Sequence, residues 1–180
     1  MRILCVSSGY PDKKNRVKKI FAHEQNLEFV KQNHHVEVIN LGSEVAVSQF
    51  EFYEGIKVFK FQRTNSNIFK VLMMKCVLKR VLKNEKYDLI LFNGLAANQY
   101  FYLNFFKSIS NCVAVIVHGT DGMIEKNIFK NYLKNKFLKK TNLVFPVSQF
   151  TDTLVAHLGK RTNITASKYQ IISNGVNEDK

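Results

Sequence analysis

Short apolar, β-favouring runs alternate with segments of helical periodicity along almost the whole chain, and few architectures accept that order. Residues 2–7, 35–41, 88–92, 112–117, 143–147 and 169–173 read as strands. Residues 20–32, 67–84, 96–108, about 123–140 and 148–158 read as helices. A strand that follows another across one helix pairs with it in parallel through a right-handed crossover. Residues 88–92, Asp-Leu-Ile-Leu-Phe, are apolar with hardly a break, as in strands covered on both faces. Two alternating segments, 45–52 and 56–62, flank Glu54-Gly55 and suit a hairpin at one side of the sheet. The expected fold is α/β: a doubly wound, mostly parallel sheet with helices on both faces. The 180 residues suit one domain, and with 2 Pro and no low-complexity run no internal linker is expected.

Charge narrows the partners. Lys+Arg 27 against Asp+Glu 14 gives a net charge of +13, which favours anionic partners. A 46% hydrophobic content excludes a disordered or acidic solvating chain. No apolar run approaches the roughly 20 residues that cross a bilayer. The opening Met1-Arg2-Ile3-Leu4-Cys5-Val6-Ser7-Ser8 turns polar too soon for a secretory signal, so a cytoplasmic location is expected. Cys5, Cys76 and Cys112 are odd in number, lie within apolar segments and are expected to be reduced core thiols. Without Cys-x-x-Cys or His-x-x-x-His spacing, no metal site is expected. Neither Gly-x-Gly-x-x-Gly nor a Gly-x-x-x-x-Gly-Lys-Ser/Thr loop is present, which removes the main support for a nicotinamide, flavin or P-loop role. No zinc finger, recognition helix or aromatic ribonucleoprotein motif speaks for nucleic acid.

In a sheet of this kind ligands bind beyond the carboxyl ends of the strands. The residues there are Gly9 after the first strand, Asn93-Gly94, His118-Gly119-Thr120-Asp121, Ser148 and Asn174-Gly175. His118 is the candidate catalytic residue, since an imidazole can donate to a sugar hydroxyl or a phosphate oxygen. The plainer reading is a strand-end His bonded to backbone, with Asp121 capping the next helix. Lys13, Lys14, Arg16, Lys18 and Lys19 crowd the first loop and would draw a phosphorylated ligand, or are simply a solvated run. His23 and Glu24, early in the first helix, are further candidates with Lys18, although a carboxylate there also serves the helix dipole. His34-His35 reads as a turn feature. The helices around 67–84 and 124–140 combine apolar and basic residues, which suits an anionic membrane surface or a core-facing helix with a solvated basic side.

Several segments then line up with a known family. Residues 1–11 followed by Phe21-Ala22-His23-Glu24-Gln25, and Asn33-His34-His35-Val36-Glu37-Val38-Ile39, resemble the opening of glycosyltransferase family 4 (group 1) enzymes of the GT-B fold. Val117-His118-Gly119-Thr120-Asp121 is similar to the family's His-Gly-x-Asp segment, and Ile172-Ser173-Asn174-Gly175-Val176-Asn177 to its interdomain approach. The resemblance implies a Rossmann-like N-terminal, acceptor-side domain of an enzyme that retains configuration while moving a hexose from a nucleotide sugar to a polysaccharide or lipid-linked acceptor. It implies no required metal or cofactor, the nucleotide sugar being co-substrate. It also implies that Gly9 lines the cleft, His118 contacts the transferred sugar or its phosphate, Asn93 and Gly94 edge the acceptor pocket, and Asn174-Gly175 open the hinge. The chain departs from the family in having lysines where the first loop usually has Gly-Gly, and the donor-binding domain with its Glu-x7-Glu segment is not within these residues. The alternative from the residues alone is a stand-alone Rossmann-like module binding an anionic ligand or a partner chain.

Overall fold

The computed structural model describes residues 1–13, 15–45, 47–62, 67–160 and 170–172. The elements are β1 (Arg2–Ser7), α1 (Ile20–Lys31), β2 (His35–Val45), β3 (Gln49–Tyr53), β4 (Ile56–Gln62), α2 (Asn67–Val81), β5 (Tyr87–Asn93), α3 (Tyr100–Ile109), β6 (Ser110–Val117), α4 (Ile128–Lys140), β7 (Leu143–Pro146) and α5 (Gln149–Lys160). They build a seven-stranded sheet in the order β3-β4-β2-β1-β5-β6-β7, parallel except for the antiparallel edge strand β3. This is the α/β, Rossmann-like arrangement that the alternation predicts. Its hairpin turn falls at Glu54-Gly55 as expected, with both residues at positive φ (46° and 81°).

The period-2 pattern of the strands divides the core. Leu4, Val6, Ile39, Ile90, Phe92, Val113, Val115 and Val117 face α2, α3, α4 and α5, whose contributions include Leu78, Phe106, Phe137 and Val155. The rings of Phe106 and Phe137 meet Phe92 edge to face at 5.3 and 5.0 Å. Cys5, Val38, Leu91, Ala114 and Ile116 point the other way, where α1 supplies Leu27 and Phe29. At the amino ends of the strands Arg2 bridges Glu37 and Glu85, while Tyr87 and Lys57 donate to Glu37.

Three expectations change. The second strand runs on to Val45, with a register shift against β4 after Asn40, so the hairpin's first strand begins at Gln49 instead of 45. The helix expected from about 123 begins at Ile128. The Asn131 side chain holds both backbone groups of Glu125 (2.8 and 2.6 Å) and keeps that segment out of the helix, while Asn127 caps Lys130 N at 3.1 Å. Of the three thiols only Cys5 is a core residue. Cys76 is exposed and Cys112 half-buried, and all three are free. Of the expected last strand, residues 170–172 are described. Gln170 and Ile172 donate their N–H groups to Val144 and Pro146 at 3.2 and 3.0 Å, a strand-like spacing beside β7. The remainder of that strand, with Asn174 and Gly175, lies outside the described residues.

Candidate active site

The parallel sheet brings the ends of β1, β5 and β6 side by side, because Ser7 pairs with Asn93 and Asn93 with Ile116. His118 therefore stands next to Asn93 although 25 residues separate them, and its Nε2 lies 2.7 Å from Asn93 Oδ1. A carboxamide oxygen only accepts, so Nε2 carries the proton and Nδ1 the lone pair. Asn93 passes the direction on, its Nδ2 donating to Gln25 Oε1 at 3.2 Å. Phe21, one turn before Gln25 on α1, lays its ring 4.4 Å from the His118 ring, and Lys19 Nζ sits 5.3 Å from the centre of that phenyl. Burial holds the His118 imidazole down to about 4; Asp121 opposes the shift and the charge of Lys19 adds to it. At neutral pH the ring is an uncharged donor and acceptor.

Asp121 does not cap α4 as expected. Its carboxylate accepts from the N–H groups of His118 and Leu95, both at 3.3 Å, and so ties the loops after β5 and β6 together. Gly94 makes this possible. It sits at φ 110°, and a β-carbon there would be 3.1 Å from the Asp121 carboxylate. The buried Gln99 completes the brace, donating to the Gly94 carbonyl and accepting from Ala96 N, each at 2.9 Å. Lys134 on α4 donates to the Asp121 carbonyl at 2.9 Å and pairs with Glu125 at 2.8 Å. Gly119 lies in the short 3₁₀ turn Gly119–Gly122, and a β-carbon on it would meet open space.

The other expected residues divide. Gly9 lies in the β1–α1 loop under the aliphatic part of Lys18, whose Cε would be 3.0 Å from a β-carbon on it. Ser148 follows β7 as expected, but its hydroxyl caps α5, accepting from Thr151 N at 3.1 Å. His23 does not face the strand ends. It is buried on the far side of α1 between Tyr10 and Glu54, while Glu24 points to solvent. Sequence reasoning missed Phe21, Gln25 and Gln99, which look like ordinary helix residues until the sheet order places them. Among the described residues no three His, Cys, Asp or Glu side chains converge as a metal cluster, and no helix is long and apolar enough to cross a membrane.

The comparisons with known proteins agree with this architecture. The model of glycosyltransferase family 4 matches residues 20–180. No curated protein matches the chain. Among solved structures, sucrose-phosphate synthase from Thermosynechococcus elongatus aligns with a TM-score of 0.68 at 11% identity, over 98% of this chain and 49% of that one. A lipopolysaccharide outer core galactosyltransferase in its apo form gives 0.64 at 12%, over 98% and 46%. The UDP-GlcNAc 2-epimerase from Neisseria meningitidis bound to UDP-GlcNAc gives 0.62 at 16%, over 97% and 46%. At these identities the likeness is one of fold, and the chain spans about half the length of the structures it matches.

Proposed function

Since the chain belongs to glycosyltransferase family 4, we propose that it is the acceptor-side domain of a retaining glycosyltransferase that moves a hexose from a nucleotide sugar to a polysaccharide or lipid-linked acceptor. The observation that carries this reading is the uncharged His118, fixed by Asn93 and Phe21 where the ends of β5 and β6 meet. In the transfer the sugar's bond to the leaving diphosphate breaks as the acceptor oxygen bonds to the same carbon, negative charge builds on the diphosphate, and the acceptor's hydroxyl proton passes to the departing diphosphate. Such a step needs hydrogen bonds and positive charge aimed at the leaving group more than a strong base. His118 Nδ1 can accept from a hydroxyl, Lys19 and Lys18 supply positive charge, and Gly9 leaves backbone room beside them. Asn93, Gly94, Gly119 and Asp121 shape the acceptor side, and the family resemblance gives Asn174-Gly175 the hinge. The reaction needs no resident cofactor. Incubating the full-length protein with labelled nucleotide sugars and lipid-linked or glycan acceptors should release nucleoside diphosphate and label the acceptor. Donor hydrolysis without acceptor labelling across the panel refutes the reading.

The finer reading places this domain on the inner face of the cytoplasmic membrane, in a cytoplasmic, peripheral location. The supporting surface is at the start of α4. Met123, Ile124, Ile128, Phe129 and Tyr132 are all exposed, Ile128 by 81%, while Leu133, Phe137 and Leu138 take the core-facing role. Exposed Lys126 and Lys130 border them. An apolar patch ringed by lysines fits an anionic bilayer surface. The chain should bind vesicles containing phosphatidylglycerol and lose binding as salt rises. Ile128→Ser with Phe129→Ser should weaken that binding about tenfold, some 1.4 kcal/mol. Equal binding to neutral vesicles, or no change in the double variant, counts against this surface.

A further inference from the structure

His23 is 1% exposed, yet it is hydrogen-bonded at both ring nitrogens. Nδ1 lies 2.8 Å from the Tyr10 hydroxyl and Nε2 2.9 Å from Glu54 Oε2. A carboxylate only accepts, so Nε2 donates to Glu54, and in the tautomer with its single proton on Nε2 the Nδ1 atom accepts from the Tyr10 O–H. The Tyr10 oxygen accepts in turn from Asn26 Nδ2 at 3.2 Å. The hydrogen bonds therefore run one way, from Asn26 through Tyr10 and His23 to Glu54. Tyr53 closes the aromatic side, its ring 4.8 Å from His23 and 6.4 Å from Tyr10.

Three separate pieces of chain meet here. Tyr10 directly follows Gly9 in the β1–α1 loop, His23 and Asn26 belong to α1, and Glu54 is the hairpin turn, held at φ 46° where a glycine would be at ease. Lys60 on β4 makes a second tie between hairpin and loop, reaching Asp12 at 3.4 Å and Glu51 at 2.5 Å. The opposite side of α1 carries Phe21 and Gln25, which touch His118 and Asn93. Whatever fixes α1 against the hairpin also sets how closely Phe21 covers the His118 ring.

We propose that His23 is a positioning residue: anchored by the Glu54 carboxylate and the Tyr10 hydroxyl, it locks α1 and the β1–α1 loop to the β3–β4 turn, so that Phe21 and Gln25 hold His118 and Asn93 in register. Its bearing on catalysis rests on the glycosyl-transfer reading, but its test needs no substrate, so the two can fail separately. Besides the Phe21 ring, the charged groups that act on His118 are Asp121 and Lys19; the titratable groups at His23 are Glu54 and the phenols of Tyr10 and Tyr53.

The test is an NMR titration of the His118 ring in this chain, comparing wild type, Glu54→Gly, Glu54→Gln and Tyr10→Phe. Glu54→Gly removes the carboxylate while easing the left-handed turn, so a folding defect at the turn is not expected. Glu54→Gln keeps an acceptor for Nε2–H. Wild type should titrate near 4 with the His23 proton on Nε2. Glu54→Gly should move the His118 midpoint at least halfway towards the ordinary 6.5, with Glu54→Gln restoring most of the shift. Tyr10→Phe keeps the aromatic packing and should move His118 in the same direction, which decides the matter if Glu54→Gly does not fold. A folded Glu54→Gly or Tyr10→Phe protein whose His118 still titrates near 4 overturns the proposal, as does a singly protonated His23 ring that carries its proton on Nδ1 in wild type.

Discussion

His118→Ala should lower transfer by the full-length protein about 100-fold or more, the usual scale for losing one preorganised polar group at a developing charge. The ring is fixed before any substrate arrives, by Asn93 on one nitrogen and Phe21 on one face, so removing it takes away an interaction that costs no reorganisation. The fold should survive at a cost of about 1–2 kcal/mol, since the loss amounts to one hydrogen bond and one half-buried ring. His118→Gln, whose amide can donate to Asn93, should recover stability more fully than activity. Unchanged transfer in the alanine variant would remove His118 from the mechanism.

The pH dependence follows from the same geometry. With the folded-state value held at about 4, the ring is neutral throughout the physiological range, and the rate should show no His118 inflection near 6.5. Stability behaves differently. Between pH 6.5 and about 4 the unfolded chain takes up a proton at this position and the folded chain does not, so stability is full above 6.5 and falls as pH drops through that window. The loss is on the order of 2 kcal/mol, after discounting for solvent around a half-buried ring. Urea titrations at pH 7 and pH 4.5 should show the difference in wild type, and His118→Ala should remove that part of it.

The sheet was legible from residue order alone, because apolar runs such as 88–92 and 112–117 are continuous and only a twice-covered strand tolerates that. The strand-end candidates were legible for the same reason: once the strands are parallel, Gly9, Asn93 and His118 must share an edge. Their partners were not. Phe21 and Gln25 belong to the helix segment that carries the family resemblance, but no local pattern states that α1 lies over β5 and β6. Asp121 departs from the local rule that a strand-end Asp before a helix caps it. Here Asn127 takes that role six residues later, freeing Asp121 to tie two loops together. His23 and Glu24 invited pairing by adjacency, whereas a helix turns successive side chains about 100° apart and gives His23 to a hairpin 31 residues away.

Gly42→Ala should be the most destabilising single methyl that can be added beside the site. A β-carbon on Gly42 would lie 1.7 Å from the Ser8 carbonyl oxygen and 2.7 Å from its carbon, so β2 and the β1–α1 loop could not keep their present approach. The obstacle is backbone, which no rotamer change relieves. The cost should reach the upper end of the overpacking range, about 3 kcal/mol, or roughly 6–12 °C in Tm for a domain of this size. Gly9→Ala is the informative contrast. Its added methyl meets side-chain carbons alone, Lys18 Cε at 3.0 Å and Lys19 Cγ at 3.3 Å, which can shift without moving backbone, so the Tm should change by less than about 2 °C. If Gly9 borders bound substrate, that small change should still lower transfer, because the methyl occupies the space the ligand uses. The two glycines stand on either side of the Ser8 carbonyl, and the pair of variants separates a glycine needed for chain packing from one needed for ligand approach. Equal losses of stability would mean that the loop is held by Lys18 as firmly as by β2, and Gly9 would then lose its place in the site.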